Sequence, residues 1–161
     1  MEQFVRSLPL DGRDLVVSVH TKKDPTREEW ETLLVALKEA EARKAGDLSR
    51  VLTLILGDGG SPDTLMRDAL SRLLKGRPLK MAVVTDSVVA RGAVTAIGWF
   101  NPQVRAFATS KGASVFEYLG MSDDEVRRTN ELLQAMVRII DVGTLETFLK
   151  AAQEDKQAQS R

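Results

Sequence analysis

The chain has 161 residues, a length that fits one domain with a substantial core of its own. Lys plus Arg and Asp plus Glu both number 23, and this zero formal net charge argues against a general affinity for nucleic acid or for an anionic membrane. The absence of cysteine excludes disulfides, thiolate nucleophiles and cysteine-ligated metals. Because the first residues lack the pattern of a secretory signal and no apolar run is long enough to span a bilayer, we expect a soluble, cytoplasmic protein.

The first predicted elements are two strands joined by a tight turn. Residues 15–20 alternate between apolar and more polar side chains, which is typical of a half-covered strand, and the polar side suggests a sheet edge. Residues 4–6 form a shorter candidate strand before them. Asp11 and Gly12 between the two runs are a hairpin signal.

A long helix and two buried strands are predicted next. Thr26 and Glu29 have the spacing of a capping box, so a helix begins there. The apolar runs 51–56 and 80–85 are each followed by an acidic, small-residue loop and an amphipathic helical pattern. This order predicts helix-covered parallel strands, with the loop 57–62 at the carboxyl end of a strand.

Helix starts and a last strand can be placed in the middle of the chain. Ser61 is expected to be the N-cap of the second helix, with Pro62 at its first position, where a missing N–H costs nothing. Asp86 and Ser87 begin a third helix, and residues 104–107 are a short fifth strand.

The rest of the chain is predicted to be helical. Ser110 is expected to cap a short helix, and Ser122 with Glu125 forms a second capping box before a helical block that Gly143 interrupts. This block has more apolar residues than one stripe needs, which is explained either by intramolecular packing or by contact with a partner or second subunit. We predict a core at 1–120, a helical extension packed on it at 121–152, and a disordered polar tail at 153–161.

The glycine-rich loop 57–62 matches no known catalytic or nucleotide-binding motif in full. A Walker-type loop needs a lysine that is followed by Ser or Thr, and a dinucleotide fingerprint needs Gly or Ala where Pro62 stands. A nucleophile elbow is only half present, because Asp63 occupies the place of its second glycine. The single histidine, His20, precedes Ser61 and is expected on the surface of an edge strand, so a serine hydrolase is disfavoured.

Two aspartates follow strands that are predicted to be neighbours. The carboxylates of Asp58 and Asp86 are therefore candidates for a divalent ion and for phosphoryl chemistry. The interpretation of both residues as turn or helix-cap residues is stronger, because Asp is common at such positions and the sequence spacing indicates no third ligand. No metal site and no cofactor are therefore assigned.

Ser61 has two interpretations. A phosphate at a helix N-terminus would add about two negative charges to the surface and switch docking without catalysis. A plain N-cap role is the more common use of a serine at such a position.

The chain resembles the STAS domains of sulfate transporters and anti-sigma-factor antagonists, in particular the bacterial SpoIIAA-like group. The resemblance is carried by residues 81–86, a helix with Ala90 and Arg91, Phe100 before a break, and residues 104–107 before a helix that ends at 116–119. It covers roughly residues 15–119. It implies an α/β fold with a mixed, mainly parallel sheet of four to five strands covered by helices, to which extra C-terminal helices are added.

In this family, the loop after the third strand docks a partner protein, and in phosphorylatable members a serine in that loop is modified by a kinase. The resemblance therefore implies a non-enzymatic regulatory module that binds another protein, and a homodimer through the C-terminal helices is a further expectation. Two alternatives stay open: binding of a small apolar or nucleotide ligand, since the fold is linked to lipid-transfer domains, and a metal-dependent phosphoryl-transfer enzyme. The matching docking residues here are Asp58, Gly59, Gly60, Ser61 and Thr64, with Ser61 as the candidate phosphorylation site.

Overall fold

The computed structural model describes residues 1–161, apart from the side chain of Phe100. Within the described residues the chain forms five β-strands and six α-helices, with single 3₁₀ turns at Leu48–Arg50 and Thr109–Lys111. The strands are β1 (Gln3–Pro9), β2 (Asp14–His20), β3 (Val51–Gly57), β4 (Lys80–Val84) and β5 (Val104–Phe107). The helices are α1 (Arg27–Arg43), α2 (Thr64–Leu74), α3 (Val88–Phe100), α4 (Gly112–Tyr118), α5 (Asp123–Val137) and α6 (Gly143–Gln159).

The strands lie side by side in chain order, β1-β2-β3-β4-β5. The β1–β2 pair is antiparallel and is joined by the predicted turn, in which Gly12 has a φ of 69°. The pairs β2–β3, β3–β4 and β4–β5 are parallel. The predicted mixed, mainly parallel sheet covered by helices is therefore confirmed.

Helices α1, α2 and α3 cover one face of this sheet. Each helix connects two neighbouring parallel strands, and such crossover connections are right-handed. Because all three connections move across the sheet in the same direction, from β2 towards β5, their helices lie on the same face. Their apolar stripes pack on inward-facing strand residues; examples are Trp30, Leu33, Leu70 and Val94, which share a core cluster with Val16, Ile55 and Val83.

The opposite face is covered by α4, α5 and α6. Leu133, Met136, Leu145 and Phe148 are almost completely buried and share a second core cluster with strand residues such as Val17. Because no crossover helix reaches this face, the sheet would expose its apolar side chains to water without them. The segment 121–152, predicted as an extension packed on the core, supplies much of this cluster, and intramolecular packing accounts for most of its surplus apolar residues.

The prediction that residues 15–20 form a sheet edge is wrong. Strand β2 lies between β1 and β3, and its residues are buried except for His20, which is half-buried. The polar side chains on one side misled the prediction, because Ser18 is satisfied internally: its Oγ accepts a hydrogen bond from Gln3 Nε2 at 2.7 Å. A paired polar residue is compatible with a buried strand.

Both expected capping boxes are present, at Thr26 with Glu29 and at Ser122 with Glu125. Two other expected caps are wrong. Ser61 is not the N-cap of α2, which begins at Thr64 and is capped by Asp63, whose Oδ1 accepts from the Met66 amide at 2.8 Å. Ser110 lies inside a 3₁₀ turn, and α4 begins after it without a side-chain cap.

The last residues differ from the predicted disordered tail. Helix α6 continues to Gln159, and its side chains are exposed from Gln153 onward. Gln, Glu, Lys and Ala are good helix formers, and neither glycine nor proline interrupts this segment, so the helix extends beyond the residues that it buries.

Candidate functional site

The predicted docking loop, which we call the β3–α2 loop (residues 58–63), follows the carboxyl end of the interior strand β3. Its first residue, Asp58, is bound by another part of the chain. Oδ2 accepts a hydrogen bond from the amide of Gly143 at 2.9 Å, and Oδ1 accepts from the amide of Thr144 at 2.7 Å. The residue at the N-cap position of α6, Val142, makes no side-chain cap. Asp58 therefore caps α6 from across the fold.

The two glycines of the loop are required by close packing. A Cβ at Gly60 would lie 2.1 Å from the carbonyl oxygen of Lys23, and Gly59 has a φ of 128° with Ser87 Cβ 3.2 Å from where its own Cβ would be. The amide of Gly60 donates to the carbonyl of Thr21 at 3.3 Å. These glycines fit the loop against its neighbours, which accounts for them without a phosphate cradle.

Ser61 and Thr64 lie at the outer side of the loop. The amide of Ser61 donates to Asp24 Oδ1 at 2.9 Å, and its half-buried hydroxyl is 3.4 Å from the carbonyl oxygen of Pro62. Thr64 is exposed. Arg67 donates from Nη1 to the Pro62 carbonyl at 2.8 Å and from Nη2 to Thr64 Oγ1 at 3.2 Å. The loop is thus held in one conformation by side chains on both sides.

Asp86, the second candidate metal ligand, caps a different segment. Its Oδ1 accepts from the amide of Thr109 at 3.0 Å, and its Oδ2 accepts from Thr109 Oγ1 at 2.5 Å. The hydrogen bond from the Thr109 hydroxyl is the largest cause that lowers the pKa of Asp86. Among the described residues, no group of three or more His, Cys, Asp or Glu side chains is placed to hold a metal ion. The structure therefore engages Asp58 and Asp86 separately.

His20 is half-buried at the end of the interior strand β2, so the expectation of an edge-strand surface residue is wrong. Its imidazole covers Gly57, where a Cβ would lie 2.1 Å from the ring carbon Cε1. Nδ1 is 3.2 Å from the carbonyl oxygen of Thr21. Burial lowers the pKa of His20, which favours the neutral imidazole at physiological pH.

Between the sheet and helices α2 and α3 lies an apolar cavity of about 80 Å³ that the sequence analysis missed; we call it the α3 cavity. It exists because α3 presents the small side chains of Ala90 and Ala93 to the sheet beside Val94 and Ile97. The signal in the sequence was this mixture of small and medium-sized residues in an apolar helix, which leaves space where larger residues would fill it.

Large apolar side chains are exposed on the same two helices. Leu65 of α2 is 59% exposed, and Val88, Val89 and Trp99 of α3 are 73%, 81% and 79% exposed. Helix α3 is therefore apolar on its outer as well as its inner side, which is unusual for a helix whose outer side faces water.

Comparisons with known proteins bear on the fold. No protein-family model matches the chain, and neither does a curated protein. The chain is similar to the solved structure of an uncharacterized protein from the DUF3478 family of Shewanella loihica PV-4, described as having a SpoIIAA-like fold. The two are 16% identical, the match covers 73% of this chain and 93% of that one, and the TM-score is 0.50.

The chain has a SpoIIAA-like fold. This finding confirms the resemblance inferred from residues 81–119, and it shows the architecture alone. None of the helices that the structure describes is long and apolar enough to cross a membrane. Within this SpoIIAA-like fold, the β3–α2 loop adjoins the starts of α3 and α6, and the role of its residues in docking stays a prediction.

Proposed function

We propose that the chain is a non-enzymatic, regulatory STAS-type module that docks a partner protein. The docking surface consists of the outer side of the β3–α2 loop, the start of α2 and the start of α3; its residues are Ser61, Thr64, Leu65, Val88 and Val89. Asp58, Gly59 and Gly60 support it from below by fixing the loop. The observation that carries the proposal is the exposure of Leu65, Val88 and Val89 next to a loop that is held in place.

The two parts of this surface adjoin each other. The Cβ position of Gly59 lies 3.2 Å from Cβ of Ser87, the N-cap of α3, so the loop touches the start of that helix. Ser61 and Pro62 line the same cavity as Ala90 of α3. Exposed apolar side chains that gather on one surface favour a binding role, because their burial against a partner stabilises the complex.

Charge favours a protein as the partner. The chain has no net charge, and the surface is bordered by residues of both signs, Asp63 and Asp86 on one hand and Arg67 and Arg91 on the other. A nucleic acid or an anionic membrane needs an excess of positive charge, whereas an apolar surface with a mixed polar rim is typical of protein interfaces. We expect the partner to present apolar side chains of its own.

The test compares partners recovered by crosslinking from the native cell. The double variant Val88→Asp/Val89→Asp should no longer recover the partner. Val35→Asp is the matched control, because Val35 is an exposed valine on α1 that is not among the residues of the proposed docking surface. The recovered protein is then purified and its affinity for each variant is measured. We expect a loss of at least tenfold for the double variant alone; equal binding by all variants would show the proposal to be wrong.

Phosphorylation of Ser61 and a homodimer through the C-terminal helices stay predictions. Ile139, on the last turn after α5, is 51% exposed and is the residue to change for a test of the dimer. Mass spectrometry of the native protein tests the phosphate, and sedimentation of wild type and Ile139→Glu tests the dimer.

A further inference from the structure

An open, polar pocket of about 360 Å³ lies at the amino ends of strands β3, β4 and β5. Leu52 and Lys80, which pair with each other near the starts of β3 and β4, form part of its wall. Tyr118, the last residue of α4, forms another part, and we call this space the Tyr118 pocket. The β3–α2 loop follows the other end of β3, so the pocket is separate from the proposed docking surface.

The register of the sheet places two positive charges side by side in this pocket. Ala82 of β4 pairs with Arg105 of β5, and Lys80 precedes Ala82 by two residues, so Lys80 and Arg105 lie on the same face of neighbouring strands. Lys80 Nζ is 5.4 Å and Arg105 Cζ is 5.0 Å from the centre of the Tyr118 ring, so both charges lie within 5.4 Å of one point. Like charges in such positions repel each other, and an anion between them relieves the repulsion.

Neither of these two charges is balanced by a carboxylate. A third cation of the pocket, Arg13, is already neutralised, because its Nη2 lies 3.0 Å from Glu125 Oε1 and its guanidinium also donates to two backbone carbonyls. Lys80 and Arg105 form no ion pair with the side chains that the structure describes, and no carboxylate is among the described residues that line the pocket. The Tyr118 ring attracts both cations but carries no formal charge of its own. The pocket therefore has an excess of two positive charges.

We propose that the Tyr118 pocket binds a phosphate group, carried by a small phosphate monoester or present as inorganic phosphate. A phosphate dianion matches the two unbalanced charges, and its oxygens accept hydrogen bonds from the Lys80 ammonium and the Arg105 guanidinium. The pocket has the volume of about twelve water molecules at about 30 Å³ each, which is more than a phosphate group needs. Pro78 and Pro102 line the same pocket and offer apolar contacts to the organic part of a monoester.

The first experiment uses Tyr118 as its probe. It is the only tyrosine of the chain, so tyrosine ring signals in NMR report on this pocket alone. The wild-type chain is titrated with inorganic phosphate and with glycerol 3-phosphate at low ionic strength and about pH 8, where both are mainly dianions. We expect saturable shifts of the ring signals, and binding of acetate at least about tenfold weaker because it carries a single charge.

The relative affinity of the two phosphates identifies the source of the group. Tighter binding of glycerol 3-phosphate would assign the pocket to a monoester, and tighter binding of inorganic phosphate would assign it to the free ion. The proposal is wrong if neither phosphate shifts the Tyr118 signals in a saturable way, or if acetate binds as tightly as they do.

Charge-removing variants then test the two cations. Lys80→Gln and Arg105→Gln should each weaken phosphate binding about tenfold, because each loses a charge-assisted hydrogen bond. Lys38→Gln and Arg72→Gln are the matched controls: they remove the same charges from exposed positions on α1 and α2, which cover the opposite face of the sheet, and should change the dissociation constant by less than about twofold. Lys80→Arg keeps the positive charge and should retain binding, which separates loss of charge from a disturbed fold. Equal binding by all four glutamine variants would overturn the proposal.

Discussion

The carboxylate of Asp58 accepts a hydrogen bond from the backbone amide of Thr144 at 2.7 Å, although the two residues are 86 positions apart in the chain. Thr144 completes the contact in the other direction, because its Oγ1 donates to the carbonyl of Gly57 at 3.1 Å. The end of β3 and the start of α6 are therefore joined by reciprocal hydrogen bonds. The residue that resembles a docking or metal-binding aspartate has a structural partner.

Replacement of Asp58 by alanine should destabilise the protein. The start of α6 would lose its only side-chain cap among the described residues, and loss of such a cap costs about 1–2 kcal/mol. Urea unfolding followed by circular dichroism measures the change. Asp68→Ala is the control, because Asp68 is exposed on α2 and its loss should change the free energy of unfolding by less than about 0.5 kcal/mol. Equal stability of both variants would contradict the capping role.

Replacement of Gly57 by alanine should displace the imidazole of His20. The new Cβ would lie 2.1 Å from the ring, and we expect a cost of about 1–3 kcal/mol for the forced shift. Gly92→Ala is the opposite case: its Cβ meets nothing within 4 Å in the middle of α3, so it should stabilise the protein by about 0.5–1 kcal/mol. Thermal unfolding of both variants measures the two effects. The prediction is contradicted if the two melting temperatures change in the same direction.

Stability should decline as the pH falls below the ordinary pKa of histidine. Burial lowers the pKa of His20 from its usual 6.5, so the unfolded chain binds a proton more readily than the folded chain. The free energy of unfolding should therefore be constant above that pKa, fall as the pH drops through it, and level off only below the folded-state pKa. Denaturant unfolding between about pH 8 and about pH 5 measures this slope. His20→Gln should abolish this pH dependence of the free energy of unfolding. An unchanged slope in that variant would show that another group causes the pH dependence.

A negative charge at Ser61 should loosen the β3–α2 loop. The amide of Ser61 donates to the carboxylate of Asp24, so the carboxylate of Ser61→Asp would lie close to a like charge. We expect Ser61→Asp to lower the free energy of unfolding by about 0.5 kcal/mol in low salt, and the added change Asp24→Asn should restore most of this loss. A double-mutant cycle of unfolding free energies at low and high salt tests the coupling. Additive effects would show that Asp24 does not sense the charge at this position.

The sheet could be predicted from local patterns because each parallel strand is a short apolar run followed by an amphipathic helix. Residues 51–56 and 80–85 had this pattern, and both proved to be interior parallel strands. Capping boxes could be predicted equally well, because the side chains of Thr26 and Glu29 accept hydrogen bonds from each other's backbone amides within one helical turn. These features depend on interactions between residues close in sequence.

The parts that could not be predicted depend on contacts between distant residues. Ser61 and Asp63 are both good N-caps, and the tertiary contact of Ser61 with Asp24 accompanies the start of α2 at Thr64. His20 looked like a surface residue because nothing nearby in sequence indicates that Gly57 provides room for its ring. The α3 cavity likewise arises from the fit of several elements, which no single stretch of sequence records.

The link between Asp58 and the start of α6 has a consequence for biosynthesis. A ribosome completes the β3–α2 loop long before it reaches Gly143 and Thr144, so the nascent chain carries that loop with its carboxylate still hydrated. The proposed docking surface is therefore complete only after Gly143 and Thr144 have been synthesised. A truncated product that stops before Gly143 would carry the complete loop sequence but would lack the amides that hold Asp58.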